Sequence, residues 1–379
     1  MNPPISSTRI EWPQTSCQLL TGALGELLSS KQLSAAVGKN PTSQVLLRDA
    51  SVPFEALEPV RDWLARRAPV AEFELPGGES VKTSDSWFSI LELFAKAKLD
   101  RGGLVIVAGG GALGDAAGFA ASIWQRGVPW VAIPTTLLAM VDAHIGGKTA
   151  IHHGGVKNRI GSFHLPRVVL TDPALLDSLP LEERKQGWAE LIKAAWIGDP
   201  VLLTELESDP DSIPLDKIPT SLQIAAASAV KVAIVGSDPF EYGPREVLNF
   251  GHTFAHALEM NSAVPIRHGD AVSRGMVFAA TLAEEVSITA SGTATRISDL
   301  LQRVGLPVDW SQAPIEPILA SLLEDKKVRS GTVRWVLPRE PGDMVVESVP
   351  QEIVERLLRT SAPAPQTTPG SGDGSHEVN

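Results

Sequence analysis

The stretch Leu104-Val-Ile-Val-Ala-Gly-Gly-Gly-Ala-Leu-Gly-Asp115 decides the fold. A short apolar run rich in branched residues, 104–108, reads as a buried strand. It runs into glycines and opens a helix. Gly109, Gly111 and Gly114 satisfy G-x-G-x-x-G in the strand-to-helix setting which that pattern requires. Such a turn lets the backbone approach a pyrophosphate, and the helix N-terminus supplies amide donors. An ordinary dinucleotide unit also carries an acid about 20 residues downstream to hold a ribose. Here Asp115 comes too early and Asp142 too late. Asp49, at the end of an earlier apolar run, is the best candidate for that contact.

Outward from this turn, residues 44–48 read as a strand ending at Asp49. Residues 71–75 alternate and break at Pro76-Gly-Gly78, and 84–98 are helix-like. Residues 130–133 and 167–170 read as two more buried strands. Strand, turn, helix, strand is the rhythm of a parallel sheet with crossovers. From residue 181 to about residue 323 the periodicity is almost all helical. Ser178 can cap the first of these helices, Pro180 starts it, Glu182 and Glu183 favour its positive end, and Gly198 ends it. Further helices are expected near 221–235, 251–260, 270–289 and 294–304, and a short strand near 332–337. The expected class is therefore α/β: a Rossmann-like, mostly parallel domain at 1–179, then a mainly helical domain at 180–360. Residues 361–379, rich in Pro, Ser, Thr and Gly, read as a disordered tail.

Bulk properties narrow the function. The 379 residues suit two domains. No apolar run is long enough for a membrane span, and the N-terminus has no secretory pattern. One cysteine, Cys17, excludes an internal disulfide and fits a reducing cytoplasm. A net charge of -11 argues against nucleic acid and anionic membranes. Between residues 116 and 170, however, Asp142 is the only acid, among Arg126, Lys148, Lys157, Arg159 and Arg167. A basic segment in an acidic protein suits an anionic small molecule.

The chemistry points to Asn249-Phe-Gly-His-Thr-Phe-Ala-His256 and His268-Gly-Asp270, which gather three of the eight histidines. His252 and His256 are four apart on a helical pattern, and converging imidazoles suit a divalent metal. On spacing alone, His252 and His256 would be the ligand pair.

Taken in order, these motifs form a family pattern. The glycine turn is followed by Gln125-Arg-Gly127, Pro134-Thr-Thr-Leu-Leu138, Val141-Asp142, Gly146-Gly-Lys-Thr149 and Lys157-Asn158. Ala189-Glu-Leu-Ile-Lys193 precedes the two histidine motifs. This series, from about Gly77 to Lys327, closely resembles the 3-dehydroquinate synthases. It resembles more weakly the wider sugar-phosphate cyclases and the glycerol and iron-dependent alcohol dehydrogenases.

The resemblance implies NAD and one divalent metal, zinc or cobalt, and a homodimer. It implies conversion of 3-deoxy-D-arabino-heptulosonate 7-phosphate to 3-dehydroquinate and phosphate, in the shikimate pathway. C5 is oxidised, phosphate is eliminated, C5 is reduced, and the ring opens and closes by aldol addition, so NAD is not consumed. The departing phosphate itself takes the proton lost in elimination. Glu190, His252 and His268 match metal ligands, which moves His256 out of that set. Lys148, Lys193, Lys231, Arg245, Asn249, His256 and a lysine of Asp325-Lys-Lys327, assigned as Lys327, match substrate contacts. Asp142 matches an acid beside metal and substrate, and Arg126 an arginine reaching the neighbouring subunit's site. For NAD the resemblance points to Asp49, Glu79, Lys82, Gly110, Gly111, Gly114, Asp115, Thr135, Thr136, Lys148, Lys157 and Asn158, with Ser178 assigned beside them. Thr135 and Thr136 can also cap a helix. His144 and His152 replace small or amide residues of common family members, and Val156 replaces a glycine.

Three other readings meet specific residues. Cyclases that make cyclitols change the positions of Asn249, His256 and the lysine near 326–327, which are kept here. A polyol dehydrogenase that releases NADH has little use for four cations around one site. A module that has lost its chemistry has no use for a complete metal triad.

Overall fold

The apolar runs of the first half become the middle of one sheet. A computed structural model describes residues 5–13, 15–38, 40–208, 218–311, 313–328 and 333–360; for 324–328 it describes the backbone alone. The tail expected at 361–379 lies outside these residues, as do the side chains of Lys326 and Lys327. The strands are β1 (Ser6–Trp12), β2 (Thr15–Thr21), β3 (Gln44–Asp49), β4 (Val70–Leu75), β5 (Leu104–Gly109), β6 (Trp130–Pro134), β7 (Lys148–His153), β8 (Val156–Phe163), β9 (Val168–Thr171), β10 (Arg334–Glu340) and β11 (Asp343–Ser348). Seven form one sheet in the order β1-β2-β9-β6-β5-β3-β4. All neighbours are parallel except β1 and β2, which make an antiparallel hairpin. β3, β5, β6 and β9 are buried along their whole length, which is why they read as continuous apolar runs.

From β3 the chain steps outward to β4, then returns to the other side of β3 for β5 and moves on to β6. The carboxyl ends of β3 and β5 therefore flank the point where strand order reverses, the place where open α/β sheets bind ligands. Asp49 ends β3, and the glycine turn follows β5. The helix opened by that turn is Gly111–Ile123.

His144 explains the third glycine of the turn. Its buried ring lies under the first turn of that helix, with Nε2 3.2 Å from the Gly110 carbonyl. A Cβ on Gly114 would sit 2.1 Å from His144 Nε2. Burial pushes the imidazole down to about 4, so the ring is neutral and donates from Nε2. Glycine at 114 thus admits a side chain, where such turns ordinarily use it for close helix–strand packing.

Beyond β9 the chain is helical, as expected, with Leu181–Gly198, Pro200–Ser208, Ser221–Ser237, His252–Asn261, His268–Glu285, Thr293–Arg303, Ile315–Val328 and Gln351–Leu358. No helix among the described residues is long and apolar enough to cross a membrane. One expectation is corrected. Leu181–Gly198 has Pro180 at its cap position and no side-chain cap, so Ser178, two residues earlier, does not cap it. The strand expected at 332–337 is β10, and Thr332 lies outside the described residues. The hairpins β1–β2 and β7–β8, strand β11 and the helices Pro200–Ser208, Ile315–Val328 and Gln351–Leu358 were not anticipated.

The contact between His144 and Gly114 generates a paired test. Gly114→Ala destabilises the chain by about 2 kcal/mol through overpacking. His144→Ala makes room for the new methyl. The double variant is then more stable than the sum of the single losses by about 1–3 kcal/mol, read from denaturant melts. Simple additivity would refute the contact.

Candidate active site

Three helices meet because glycines let their backbones touch. Gly251 has φ +77°, and a Cβ there would lie 2.7 Å from the Met276 nitrogen. A Cβ on Gly275 would lie 2.0 Å from the Gly251 oxygen. The start of His252–Asn261 therefore lies directly against His268–Glu285. Gly269 does the same at the other contact, where a Cβ would meet Gln186 backbone at 2.6 Å. That second contact is locked by a reciprocal pair, Gln186 Nε2 to Asp270 Oδ1 and Asp270 N to Gln186 Oε1, each 3.1 Å. Gln186 is one turn before Glu190, so His268 arrives beside that carboxylate.

Glu190, His252 and His268 place one ligand atom each within 4.8 Å of one another. Glu190 Oε1 faces His252 Nε2 at 3.5 Å and His268 Nε2 at 3.2 Å. The far nitrogens are both occupied. His252 Nδ1 donates to the Phe250 carbonyl at 3.1 Å, and His268 Nδ1 meets Glu259 Oε1 at 3.0 Å. Metal-binding histidines are held in this way, with one nitrogen fixed by a backbone or carboxylate acceptor and the other free to ligate. The donor set fits a catalytic divalent metal: two imidazoles and one carboxylate. His256 lies one turn beyond His252, with ring centroids 5.3 Å apart, and stands outside the triad.

The electrostatics follow from burial. Burial favours the neutral acid of Glu190, yet Lys193 and the two imidazoles hold it well below the usual carboxylate range. Burial, then Lys193, lowers His252 to about 3. Burial also works against charge on His268, but hydrogen bonds to Glu190 and Glu259 raise it to about 9. Glu259, raised by burial, is brought down to about 2 by His268 and Lys157.

From Glu190 a line of charges leads away. Lys193 pairs with Glu190 and lies 3.9 Å from Asp142 Oδ1, and Lys231 Nζ binds the same oxygen at 2.7 Å. Asp142 is kept ionised by Lys231 and Lys193 against burial. Burial holds the Lys231 ammonium below its ordinary range, helped by Lys193 and Arg245 and opposed by Asp142. Arg245 is buried and donates to the carbonyls of Pro239 at 2.5 Å and Gly146 at 3.3 Å. Lys148 pairs with Glu241, which also accepts from Asn249 Nδ2 at 3.2 Å. Asn249 does not share the helix of His252 and His256. It ends a separate 3-10 turn, Pro244–Asn249, because Phe250 and Gly251 break the chain before His252.

The residues assigned to NAD gather above the glycine turn. Lys82 Nζ binds Asp115 Oδ2 at 2.6 Å and also Asn158 Oδ1. Burial outweighs Lys82 and raises Asp115 to about 6. Asp49 Oδ1 accepts from the backbone and hydroxyl of Ser51 at 2.9 and 2.7 Å. Room for Asp49 comes from Gly77, whose Cβ would lie 2.6 Å from that oxygen. The Thr135 amide donates to the Gly109 carbonyl at 3.1 Å, and Thr136 Oγ1 accepts from Ala139 N at 3.1 Å. Lys157 reaches Glu259 at 2.9 Å, joining this group to the triad. Ser178 is exposed in the turn before Leu181–Gly198 and joins none of these contacts among the described residues. Arg126 is exposed at a corner where it and Gln125 both have positive φ. Glu259 and Glu241 were missed in the sequence. Glu259 follows His252 by seven residues and His256 by three, so helical phase alone places it near them.

The His268 pairings fix how a metal must bind. The imidazole is protonated below about pH 9 in the metal-free chain, and a metal takes it only neutral. Zinc affinity therefore rises about tenfold per pH unit towards that value and then levels, with about one proton released per ion at pH 7.5. Calorimetry in buffers of different ionisation enthalpy reads both. No released proton would mean that His268 is not held as an imidazolium.

Comparison with known proteins completes this picture. A family model described as 3-dehydroquinate synthase N-terminal matches residues 72–186, and one described as 3-dehydroquinate synthase C-terminal matches 187–328. The chain is 42% identical over 296 residues to 3-dehydroquinate synthase of Crocosphaera subtropica, covering 75% of this chain and 80% of that protein. It is 44% identical over 274 residues to the enzyme of Prochlorococcus marinus, covering 71% and 74%. Among solved structures, 2-epi-5-epi-valiolone synthase of Streptomyces hygroscopicus, with NAD+ and Zn2+ bound, superposes with TM-score 0.80 at 27% identity, covering 92% of this chain and 97% of that one. A 2-deoxy-scyllo-inosose synthase superposes equally well, with TM-score 0.80, 22% identity and coverage of 93% and 99%, and so shares the fold. By two family models that together span most of its length and by relatives above 40% identity, the chain belongs to the 3-dehydroquinate synthase family.

Proposed function

We propose that this chain converts 3-deoxy-D-arabino-heptulosonate 7-phosphate to 3-dehydroquinate and phosphate, using NAD catalytically and one divalent metal. The observation that carries this reading is the junction of two groups on one buried helix: Glu190 closes the triad, and Lys193, one turn later, begins the line of cations. Glu190, His252 and His268 would hold a divalent metal there, which would supply polarisation of substrate hydroxyls. The chain's own residues bind and orient. Lys148, Lys193, Lys231 and Arg245 offer four cations to a phosphate and a carboxylate, and Asn249 and His256 offer hydrogen-bonding groups to hydroxyls. In the free chain these cations rest on Asp142, Glu190, Glu241 and backbone carbonyls, so the site is organised before substrate arrives.

The cofactor reading uses Asp49 for the ribose and Gly110, Gly111, Gly114, Thr135 and Thr136 around the pyrophosphate. Glu79, Lys82, Asp115, Lys148, Lys157 and Asn158 complete it. Gly109, Gly111 and Gly114 keep the turn tight, since a Cβ on them would meet Leu113, Ala143 and His144, and the helix N-terminus that follows can offer amide donors to a pyrophosphate. Among the described residues Ser178 has no contact that supports its inclusion. We divide the chain into a nucleotide-binding domain at 1–179 and a helical metal- and substrate-binding domain at 180–360. A cytoplasmic setting is consistent with the buried thiol of Cys17.

We read the active form as a homodimer. Arg126 projects from a corner beside the exposed Ile123, and β8 presents exposed Val156 and Ile160 along a strand that is paired on one side only. An open, partly apolar edge of this kind is usually covered. A second copy that covers it would bring Arg126 to the neighbouring site. Sedimentation at micromolar concentration gives twice the chain mass on this reading. A monomer with full activity would remove it.

The central experiment measures phosphate release with substoichiometric NAD. Many turnovers per NAD are expected, lost with chelator and restored by zinc or cobalt, with 3-dehydroquinate as the product. A cyclitol product would place the chain with other sugar-phosphate cyclases, and NADH accumulating against a polyol would make it a dehydrogenase. His252→Ala lowers turnover at least ~100-fold. Unchanged turnover in that variant would rule out the metal assignment.

A further inference from the structure

The hairpin β7–β8 turns at Gly154 and Gly155, at φ +60° and +75°, the conformation of a tight two-residue connection. Its ladder is regular from Lys148 opposite Phe163 to Ile151 opposite Ile160, and resumes at His153 opposite Val156. Between those pairs one residue, His152, faces three: Lys157, Asn158 and Arg159. β8 therefore bulges, and Asn158 takes φ +54°. Bulges re-aim side chains and leave ladder groups unpaired.

The His152 ring fills the gap. The Asn158 N–H donates to Nδ1 at 3.1 Å. The lone pair is thus on Nδ1 and the proton on Nε2, which lies 2.6 Å from Glu79 Oε2 and donates to it. Glu79 opens the 3-10 turn Glu79–Lys82, and Lys82 at its other end holds the Asn158 side chain and Asp115. Both ends of that turn are therefore tied to the bulge, one through His152 and one directly.

We propose that His152 is a positioning residue for the dinucleotide. It pegs the bulge that aims Lys157 and Asn158 and ties it to Glu79, without itself needing to touch the cofactor. The inference rests on the reading of Glu79, Lys82, Lys157 and Asn158 as the residues that meet NAD. Its physical content is that one neutral imidazole supplies an acceptor and a donor in directions set by the two strands. Asparagine, with an amide oxygen that can accept the same N–H, replaces part of this; alanine replaces none.

The test uses the full chain loaded with zinc, with two readouts: the NAD dissociation constant by calorimetry, and hydrogen exchange of backbone amides across 156–160 without NAD. His152→Ala is expected to weaken NAD roughly tenfold and to speed exchange of the Asn158 amide by a similar factor. The KM for substrate at saturating NAD stays unchanged. His152→Asn recovers most of both effects. The side chain is 22% exposed on a hairpin, so the variants are expected to fold, and His152→Ser makes the same deletion should alanine fail. Weakened NAD with unchanged exchange would make His152 a direct contact and overturn the positioning role. Unchanged affinity in His152→Ala, with weakened affinity in Lys82→Ala, would overturn the inference and leave the cofactor reading intact. If neither variant weakens NAD, the cofactor reading fails and the inference with it.

Discussion

A carboxylate with 1% of its surface exposed cannot stand alone, and Glu190 is such a group. Removing an ion from water costs several kcal/mol unless partners replace the solvent. Glu190 therefore imposes a demand on everything near it: Lys193 on its own helix, and imidazoles delivered by two others. The helix Leu181–Gly198 is buried on nearly every side from Gln186 to Ile197. That takes the carboxylate itself almost wholly out of contact with solvent. Each positive partner in turn needs compensation. Lys193 is shared with Asp142, and Asp142 with Lys231. A metal fits the same demand better than protons do, because it satisfies Glu190 and both ring nitrogens at once.

Backbone contact makes that convergence possible. Helices packed through ordinary side chains keep their axes 8–10 Å apart. At Gly251, Gly275 and Gly269 a methyl group has no space, so the segments bearing His252 and His268 approach closer than packed side chains would allow. The glycines inside Asn249-Phe-Gly-His252 and His268-Gly-Asp270 thus serve the histidines beside them. The same logic governs the carboxyl ends of β3 and β5, where Gly77 makes room for Asp49 and Gly114 for His144.

What was legible in the sequence divides along physical lines. Strands buried on both faces announce themselves as apolar runs, and β3, β5, β6 and β9 fall where those runs lie. Long helices announce themselves by period, and Leu181–Gly198, Ser221–Ser237 and Thr293–Arg303 start within a residue of expectation. The hairpin β7–β8 did not, because β8 is exposed almost throughout and its residues alternate with nothing buried. The grouping of Glu190, His252 and His268 was legible only through family resemblance. Spacing pairs His252 with His256, whereas the structure pairs His252 with His268 and with a glutamate 62 positions earlier. No local pattern encodes such a contact. Glu241 was hidden for a related reason: it lies in an irregular segment at φ +62°, where neither period applies.

The two halves of the site are joined by one carboxylate. Glu259 accepts from Lys157 of the bulged hairpin on one side and from His268 of the triad on the other. A change at either end alters the field and the hydrogen bond felt at the other. A divalent metal held by Glu190, His252 and His268 would take the place of the His268 Nε2 proton and leave the Nδ1 proton that His268 donates to Glu259. Glu259 would then face Lys157 on one side and an imidazole polarised by the ion's own charge on the other. Because such coupling is reciprocal, a change in how firmly Lys157 is held is felt at the triad, and the reverse. The hairpin β7–β8 and the Glu190–His252–His268 triad are thus in electrostatic contact through Glu259, although Lys157 and Glu259 stand 102 positions apart.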